Sequence, residues 1–207
     1  MIKVTEMTEF ASRRAAGLFE SVRGLSSALQ REGLAEVRIV TQRDAFSDLD
    51  RPGWGNVDLE YVVPGGRLRW LTGGDMADAF LRAPADVVHV HSLWTCAERG
   101  MVNRVRRGVR TPYVFAPRGS MSPWAMNYKR WKKRLSWPVW EAALLSHASC
   151  LHALNAAEAD MIRRIEKRVP ICVVSNGIDL PQMIDIEKGN RRKLLYLGRL
   201  HPIKGLT

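Results

Sequence analysis

Several short stretches of this 207-residue chain combine residue types that can hold an anion or handle a proton. His89 and His91 lie two apart in Ala85-Asp-Val-Val-His-Val-His91, so on an extended strand they share one face. Either both are hydrogen-bonded interior histidines, or His91, nearer the strand's carboxyl end, reaches a substrate. No third ligand at a suitable spacing accompanies them, and no metal site is expected. Pro117-Arg118-Gly119 puts a guanidinium at a strand end, on backbone that glycine lets approach closely. Such an arginine can grip a phosphate or carboxylate through two parallel hydrogen bonds, or simply occupy a solvated turn. Ala16-Gly17 precedes a helical segment whose unpaired N–H groups and dipole favour an anion, although a tight turn without a ligand reads equally well. Near the end of the sequence, Gly198-Arg199 and Lys204-Gly205 bracket a basic loop after an apolar run. Two cations with flanking glycines suit a diphosphate, and the loop is not a Walker A motif.

A different chemistry lies between these stretches. Trp124, Trp131, Trp137 and Trp140, four of the seven tryptophans, surround the run Lys129-Arg-Trp-Lys-Lys-Arg134. Trp131 with Lys132, Lys133 and Arg134 suits contact with an anionic membrane surface. The same composition could stack on single-stranded nucleic acid, or form a solvated basic face over a tryptophan-anchored core. The net charge of +11, from 32 Lys+Arg against 21 Asp+Glu, implies an anionic partner without choosing one. No recognised nucleic-acid motif is present, and nucleic acid is not the expected partner.

The elements that must position these residues follow an alternation of strand-like and helix-like segments, the pattern of an α/β fold with a parallel sheet flanked by helices. Strands are expected at 2–7, 36–41, 58–63, 85–91, 111–116, 149–154 and 171–174. Helices are expected at 18–32, 75–81 and 95–107, followed by a long basic-aromatic stretch broken near Pro138. Asn155 caps a further helix, with Glu158 three residues later in a capping box. Residues 185–192 read as a linker, giving a domain over 1–184 and a further strand and loop over 185–207. Three cysteines without C-x-x-C spacing, Cys96, Cys150 and Cys172, read as small buried hydrophobes. No apolar run is long enough to span a bilayer, and the amino terminus lacks a signal-peptide core, which points to the cytosol.

Five motifs in order, spanning nearly the whole chain, resemble the family 4 glycosyltransferases, retaining enzymes with two Rossmann-like domains (the GT-B fold). They are Ala16-Gly-Leu-Phe-Glu-Ser-Val-Arg-Gly-Leu25, Asp86-Val-Val-His-Val-His-Ser-Leu-Trp94, Ala116-Pro-Arg-Gly-Ser-Met-Ser-Pro-Trp124, Val174-Ser-Asn-Gly-Ile-Asp179 and Leu197-Gly-Arg-Leu-His-Pro-Ile-Lys-Gly-Leu206. The Pro-Arg-Gly loop with its basic tryptophan helix looks most like bacterial members that build exopolysaccharide, capsule or lipopolysaccharide. The resemblance implies a Rossmann-like amino-terminal half of a GT-B enzyme and a UDP- or GDP-sugar donor. It further implies a lipid-linked or glycan acceptor, no cofactor, and peripheral placement on the inner face of the plasma membrane.

By the same resemblance Gly17 lies against the donor, and Arg199 and Lys204 neutralise its diphosphate. His91 sits beside the reacting sugar and Arg118 contacts the acceptor. Two departures stand out: Ala16 replaces the first of two usual glycines, and Ser175 stands where proline is usual. Because the family's second domain carries the nucleotide pocket, the chain by itself is expected to be inactive. The alternative reading is a membrane-docking or acceptor-binding module without catalysis.

Overall fold

The computed structural model describes residues 1–180 and 195–198. The chain divides into a compact unit, Met1–Gly177, and a second unit, Ile178–Thr207. Arg199, Lys204 and the expected linker at 185–192 lie outside the described residues.

In the first unit, strands β1 (Ile2–Phe10), β2 (Ala35–Gln42), β3 (Asp58–Val62), β4 (Val87–His91), β5 (Tyr113–Ala116), β6 (Cys150–Ala153) and β7 (Ile171–Val173) form one sheet. Its order is β3-β2-β1-β4-β5-β6-β7, and every pairing is parallel. This is the expected Rossmann-like α/β fold. The chain winds outward from β1 to β3, then returns to lay β4 against the other side of β1. The topological switch point therefore falls between β1 and β4, and ligands of such sheets bind beyond the carboxyl ends of the strands there.

The helices are α1 (Gly17–Arg31), α2 (Ser47–Asp50), α3 (Arg67–Thr72), α4 (Gly74–Leu81), α5 (Cys96–Arg106), α6 (Pro123–Asn127), α7 (Arg130–Ser136), α8 (Glu141–Ser146) and α9 (Ala156–Ile165). In α1, Phe19, Val22 and Ser26 are buried at one-face spacing, and Phe19 meets Trp54 edge to face at 5.8 Å. The helix stops where Gly33 takes φ of 65° and the Leu34 N–H closes on the Leu29 carbonyl, a glycine-dependent cap. One apolar cluster gathers Phe19, Val22, Val37, Ile39 and Trp54 around β1, β2 and α1. A larger one runs from Met7 and Val40 through Val90, Phe115, Leu144 and Leu151 to Ile162.

Four expectations change. The first strand runs to Phe10 rather than stopping at Met7, because β2 continues pairing alongside it. The basic-aromatic stretch is three short helices, interrupted at Lys129, whose φ is 52°, as well as around Pro138. Helix α3, read as loop because glycines and a proline precede it, ends at Gly73, whose Cβ, if present, would collide with the α5 backbone at Gly100. Of the cysteines, only Cys96 is buried; Cys150 and Cys172, on neighbouring strands, are half-buried.

Candidate active site

Backbone strain collects at the carboxyl edge of the sheet. Among the described residues, five non-glycine residues have positive φ, and four of them lie in the connections that follow strands at this edge: Ala16, Ser92, Trp94 and Arg118. Each such conformation costs on the order of 1–3 kcal/mol and persists only where its surroundings enforce it. The loop after β1 is enforced by acids from the β2–β3 connection. Ser12 donates to Asp44 at 2.6 Å, and the Arg13 backbone N–H and guanidinium both bind Asp50. Gly17 then opens α1, with no side-chain acceptor capping its N–H groups and nothing within 4 Å of where a Cβ would project.

Beneath this edge lies a buried polar network that sheet register assembles. Glu6 on β1 stands opposite His89 on β4, and Glu6 is fully buried. Its carboxylate receives Nε2 of His91 at 2.5 Å and Nδ1 of His89 at 3.1 Å. Burial alone would raise the Glu6 pKa, but the two imidazoles outweigh it and hold the group well below the usual carboxylate range.

The protonation of each ring follows from its partners. Arg118 donates Nε–H to His91 Nδ1 at 3.3 Å, so the His91 proton sits on Nε2 and points at Glu6. Burial, together with the neighbouring His89 charge, depresses the His91 pKa to about 3. His91 is thus a neutral imidazole in one fixed tautomer. His152 on β6 extends the network: its Nε2 donates to the Val174 carbonyl at 2.8 Å, and its Nδ1 lies 3.2 Å from Nε2 of His89. Three hydrogen bonds, to Glu6, between the rings and to Val174, require three protons on two imidazoles. The His89–His152 pair therefore carries one positive charge. Burial lowers the His152 pKa.

Glu6, His89 and His91 also lie close enough to surround a metal ion. A ligating His91 Nε2 would need a lone pair, whereas the Arg118 donor on Nδ1 puts the proton on Nε2, so the hydrogen-bond pattern does not suit one.

Arg118 is the outermost member. Its Nη1 donates to Asn176 Oδ1 at 2.5 Å, tying the loop after β5 to the segment after β7. Glu158, buried in the first turn of α9, holds that loop by accepting from Gly119 N–H at 2.6 Å and Leu154 N–H at 2.8 Å. The capping box is therefore modified: Asn155 accepts from Glu158 N–H, but Glu158 turns to the residue before the cap and to the neighbouring loop. After β4 the same device recurs, where Thr95 accepts from Glu98 N–H while Glu98 receives the Trp94 N–H.

His91 and Arg118, singled out in the sequence, are brought into direct contact, and Gly17 opens the helix after β1, the strand that supplies Glu6. His91 is fully enclosed, with a partner on each ring nitrogen. Sequence reasoning missed Glu6 and His152, and read Glu158 only as a capping residue and Asn176 only as part of a motif. The available signal was Glu6 itself, an acid between Thr5 and Met7 on a strand whose residues 5–8 are all buried, which demands a donor. On α7, Trp131, Lys132 and Arg134 are exposed. Lys133 instead turns inward, its ammonium 3.6 Å from the centre of the Trp94 ring and bonded to the Ala125 carbonyl. Among the described residues no helix is long and apolar enough to cross a membrane.

Comparison with known proteins agrees with this architecture. The family model for a glycosyl transferase 4-like domain matches residues 16–177. No curated protein matches. Among solved structures, the S. aureus MnaA–UDP co-structure aligns with a TM-score of 0.60 at 15% identity over 85% of this chain and 44% of that one. The UDP-GlcNAc 2-epimerase from Neisseria meningitidis bound to UDP-GlcNAc gives 0.59 at 14% identity, over 84% and 46%. A glycosyltransferase from Rickettsia africae ESF-5 gives 0.53 at 8% identity, over 86% and 44%. The chain thus spans less than half the length of these structures, and at such identities the likeness is one of fold. The family rests on the sequence model: over residues 16–177 this chain belongs to the glycosyl transferase 4-like domain family.

Proposed function

We propose that the edge formed by Gly17, His91 and Arg118 is one wall of a glycosyltransferase active site that takes a UDP- or GDP-sugar and passes the sugar to a lipid-linked or glycan acceptor. The reaction would serve cell-surface glycan synthesis on the cytoplasmic side of the membrane. The observation that carries this reading is the neutral His91 clamped between Glu6 and Arg118 at the switch point. A fixed imidazole beneath a guanidinium keeps that cation in one position without placing a second positive charge beside it. Arg118 is then the contact group, and His91 acts through it as a positioning residue. The open N-terminus of α1 at Gly17 offers unpaired N–H groups to a phosphate or a sugar hydroxyl. Arg199 and Lys204, outside the described residues, would supply the charge that offsets a departing diphosphate. Support comes from the family match and from the fold shared with the UDP-bound S. aureus MnaA and the UDP-GlcNAc-bound Neisseria meningitidis epimerase.

The test is to incubate the chain with UDP- and GDP-sugars and a membrane-lipid extract, following both glycolipid formation and epimerisation of UDP-GlcNAc. Saturable binding of a nucleotide sugar that Gly17→Ala weakens, with transfer to the acceptor that Arg118→Ala weakens, supports the reading. Epimerisation without transfer, or no binding at all, rejects it.

A second reading, membrane docking, is favoured by the exposed side chains of α7. Trp131 and Leu135 are 65% and 67% exposed beside Lys132 and Arg134, the mixture of an interfacial helix. Flotation with anionic vesicles should fall on Lys132→Glu with Arg134→Glu; unchanged flotation rejects it.

A further inference from the structure

A cavity of about 580 Å³ opens between the end of α3, the first turn of α5 and the α7–α8 segment. It shares no lining residue with the Glu6–His91–Arg118 network. Its base holds Glu98 and Glu141, the only acids between positions 87 and 157, both buried. Glu98 Oε2 accepts from Trp94 N–H, and Glu141 Oε1 accepts from Ser136 Oγ at 2.7 Å. Among the described residues, Glu98 Oε1 and Glu141 Oε2 accept from no N–H or hydroxyl group of another residue type, and Trp94 Nε1 has no acceptor. The two carboxyl groups bear on one another: burial first, then the Glu141 charge, lifts Glu98 well above the usual range, and burial lifts Glu141. Two adjoining buried carboxyls share one proton, so the base presents the Trp94 indole N–H to give and carboxyl oxygens to receive. That is the complement of alcohol groups.

The upper part has a different character. Trp94 and Trp140 supply aromatic walls, and the exposed Lys129 and Lys132 line the cavity with Arg99 and with Lys133, which lies over the Trp94 ring. None of these four cations pairs with a carboxylate among the described residues. A cationic ligand would be repelled at the entrance. A purely apolar one would leave the polar atoms of the base unsatisfied in a dry site, at a cost in affinity.

We propose that this cavity is a separate ligand site for a phosphorylated sugar or polyol, its phosphate held by Lys129 and Lys132 and its hydroxyl groups set against Glu98, Glu141 and Trp94. The ligand could be water-soluble or the headgroup of a lipid, and the chemistry recognised is the same. This goes beyond sugar transfer and does not depend on it.

Titration calorimetry of the chain with glucose 6-phosphate, glucose and inorganic phosphate tests the site. The sugar phosphate should bind once per chain and about tenfold or more tighter than either component, since both halves of the cavity contribute. Equal affinity for inorganic phosphate would reduce the site to a bare cationic patch and overturn the proposal, as would the absence of saturable binding. Lys129→Glu with Lys132→Glu, both at exposed positions, should weaken binding about tenfold or more, and Trp94→Phe should weaken it with the phosphate contacts intact. Arg118→Ala should leave it unchanged; the reverse pattern, sensitivity to Arg118 but not to the lysines, would overturn the assignment. Vesicles carrying phosphatidylinositol 4-phosphate form the last arm. If they displace glucose 6-phosphate the occupant is a headgroup; if they do not, it is the soluble compound.

Discussion

Nε of Arg118 lies 3.3 Å from Nδ1 of His91, and that single donor fixes where the imidazole proton sits. An arginine cannot yield its proton, so Nδ1 is the acceptor and Nε2–H faces Glu6 at 2.5 Å. In ¹⁵N-resolved spectra His91 should appear as the pure Nε2–H tautomer from pH 8 to about pH 4, given a pKa near 3. Arg118→Met should release Nδ1 and let the ring begin to titrate at higher pH. A His91 that titrates near 6.5 in the unmodified chain would contradict the network.

The same depressed pKa sets how stability depends on acid. Unfolded, His91 takes up a proton near pH 6.5; folded, it resists to about 3, so the unfolded chain binds more protons throughout that window. Stability is then present above pH 6.5 and declines as pH falls, by about 1.4 kcal/mol per pH unit for one proton. Glu6, held low, adds to the loss below about 4.5. Urea midpoints measured from pH 7.5 to 5 should fall, and His91→Gln, less stable overall, should show the shallower slope.

Glu98 acts in the opposite sense. Its pKa is raised in the folded chain by burial and by Glu141, so its contribution is full below the unfolded value and is lost as pH rises through the folded one. Glu98→Gln removes that loss while keeping a neutral side chain against Trp94 N–H. Thermal melting of the variant should match the parent near pH 5 and exceed it near pH 8. Equal melting at both values would mean that no proton is held there.

These networks mark the limit of what a linear reading supplies. The strands were legible because Val87, Val88 and Val90 favour extended backbone and turn residues bracket them, and the parallel arrangement followed from the alternation with helices. Partnership was not legible: Glu6 meets His89 and His91 only because β4 returns beside β1 in one register, and nothing local encodes that return. Glu98 and Glu141 were visible as isolated acids in a basic stretch, but their contact depends on how α5 packs against α8. The breaks in the basic stretch were half visible, Pro138 by its chemistry and Lys129 not at all, because a lysine in left-handed backbone has no sequence signature.

Ala16 and Gly17 separate stability from binding. Ala16 holds φ of 50° and ψ of −127°, a conformation that suits glycine, so Ala16→Gly should relieve strain in excess of the chain entropy that glycine adds. A stabilisation of about 1 kcal/mol is expected. Gly17 has open space where a Cβ would project, so Gly17→Ala should leave the melting temperature nearly unchanged. If a phosphate or sugar must approach that backbone, the same methyl group should weaken nucleotide-sugar binding. Loss of stability on Gly17→Ala would mean that the residue serves the fold instead.

Glu158 should prove more costly to remove than its place on a solvent-facing helix suggests. Its two oxygens accept from Gly119 and Leu154 N–H groups on two different loops, and truncation removes both bonds and the tie between those loops. Glu158→Ala should cost about 2–4 kcal/mol in urea unfolding, whereas Glu158→Gln, which keeps one carbonyl acceptor, should cost about half as much. Because the Gly119 bond fixes the backbone next to Arg118, the glutamine variant should also blur the His91 tautomer in the same ¹⁵N spectra. A glutamine variant that lost stability but kept a single His91 tautomer would show that Asn176, through its 2.5 Å bond to Arg118, suffices to hold the guanidinium in place.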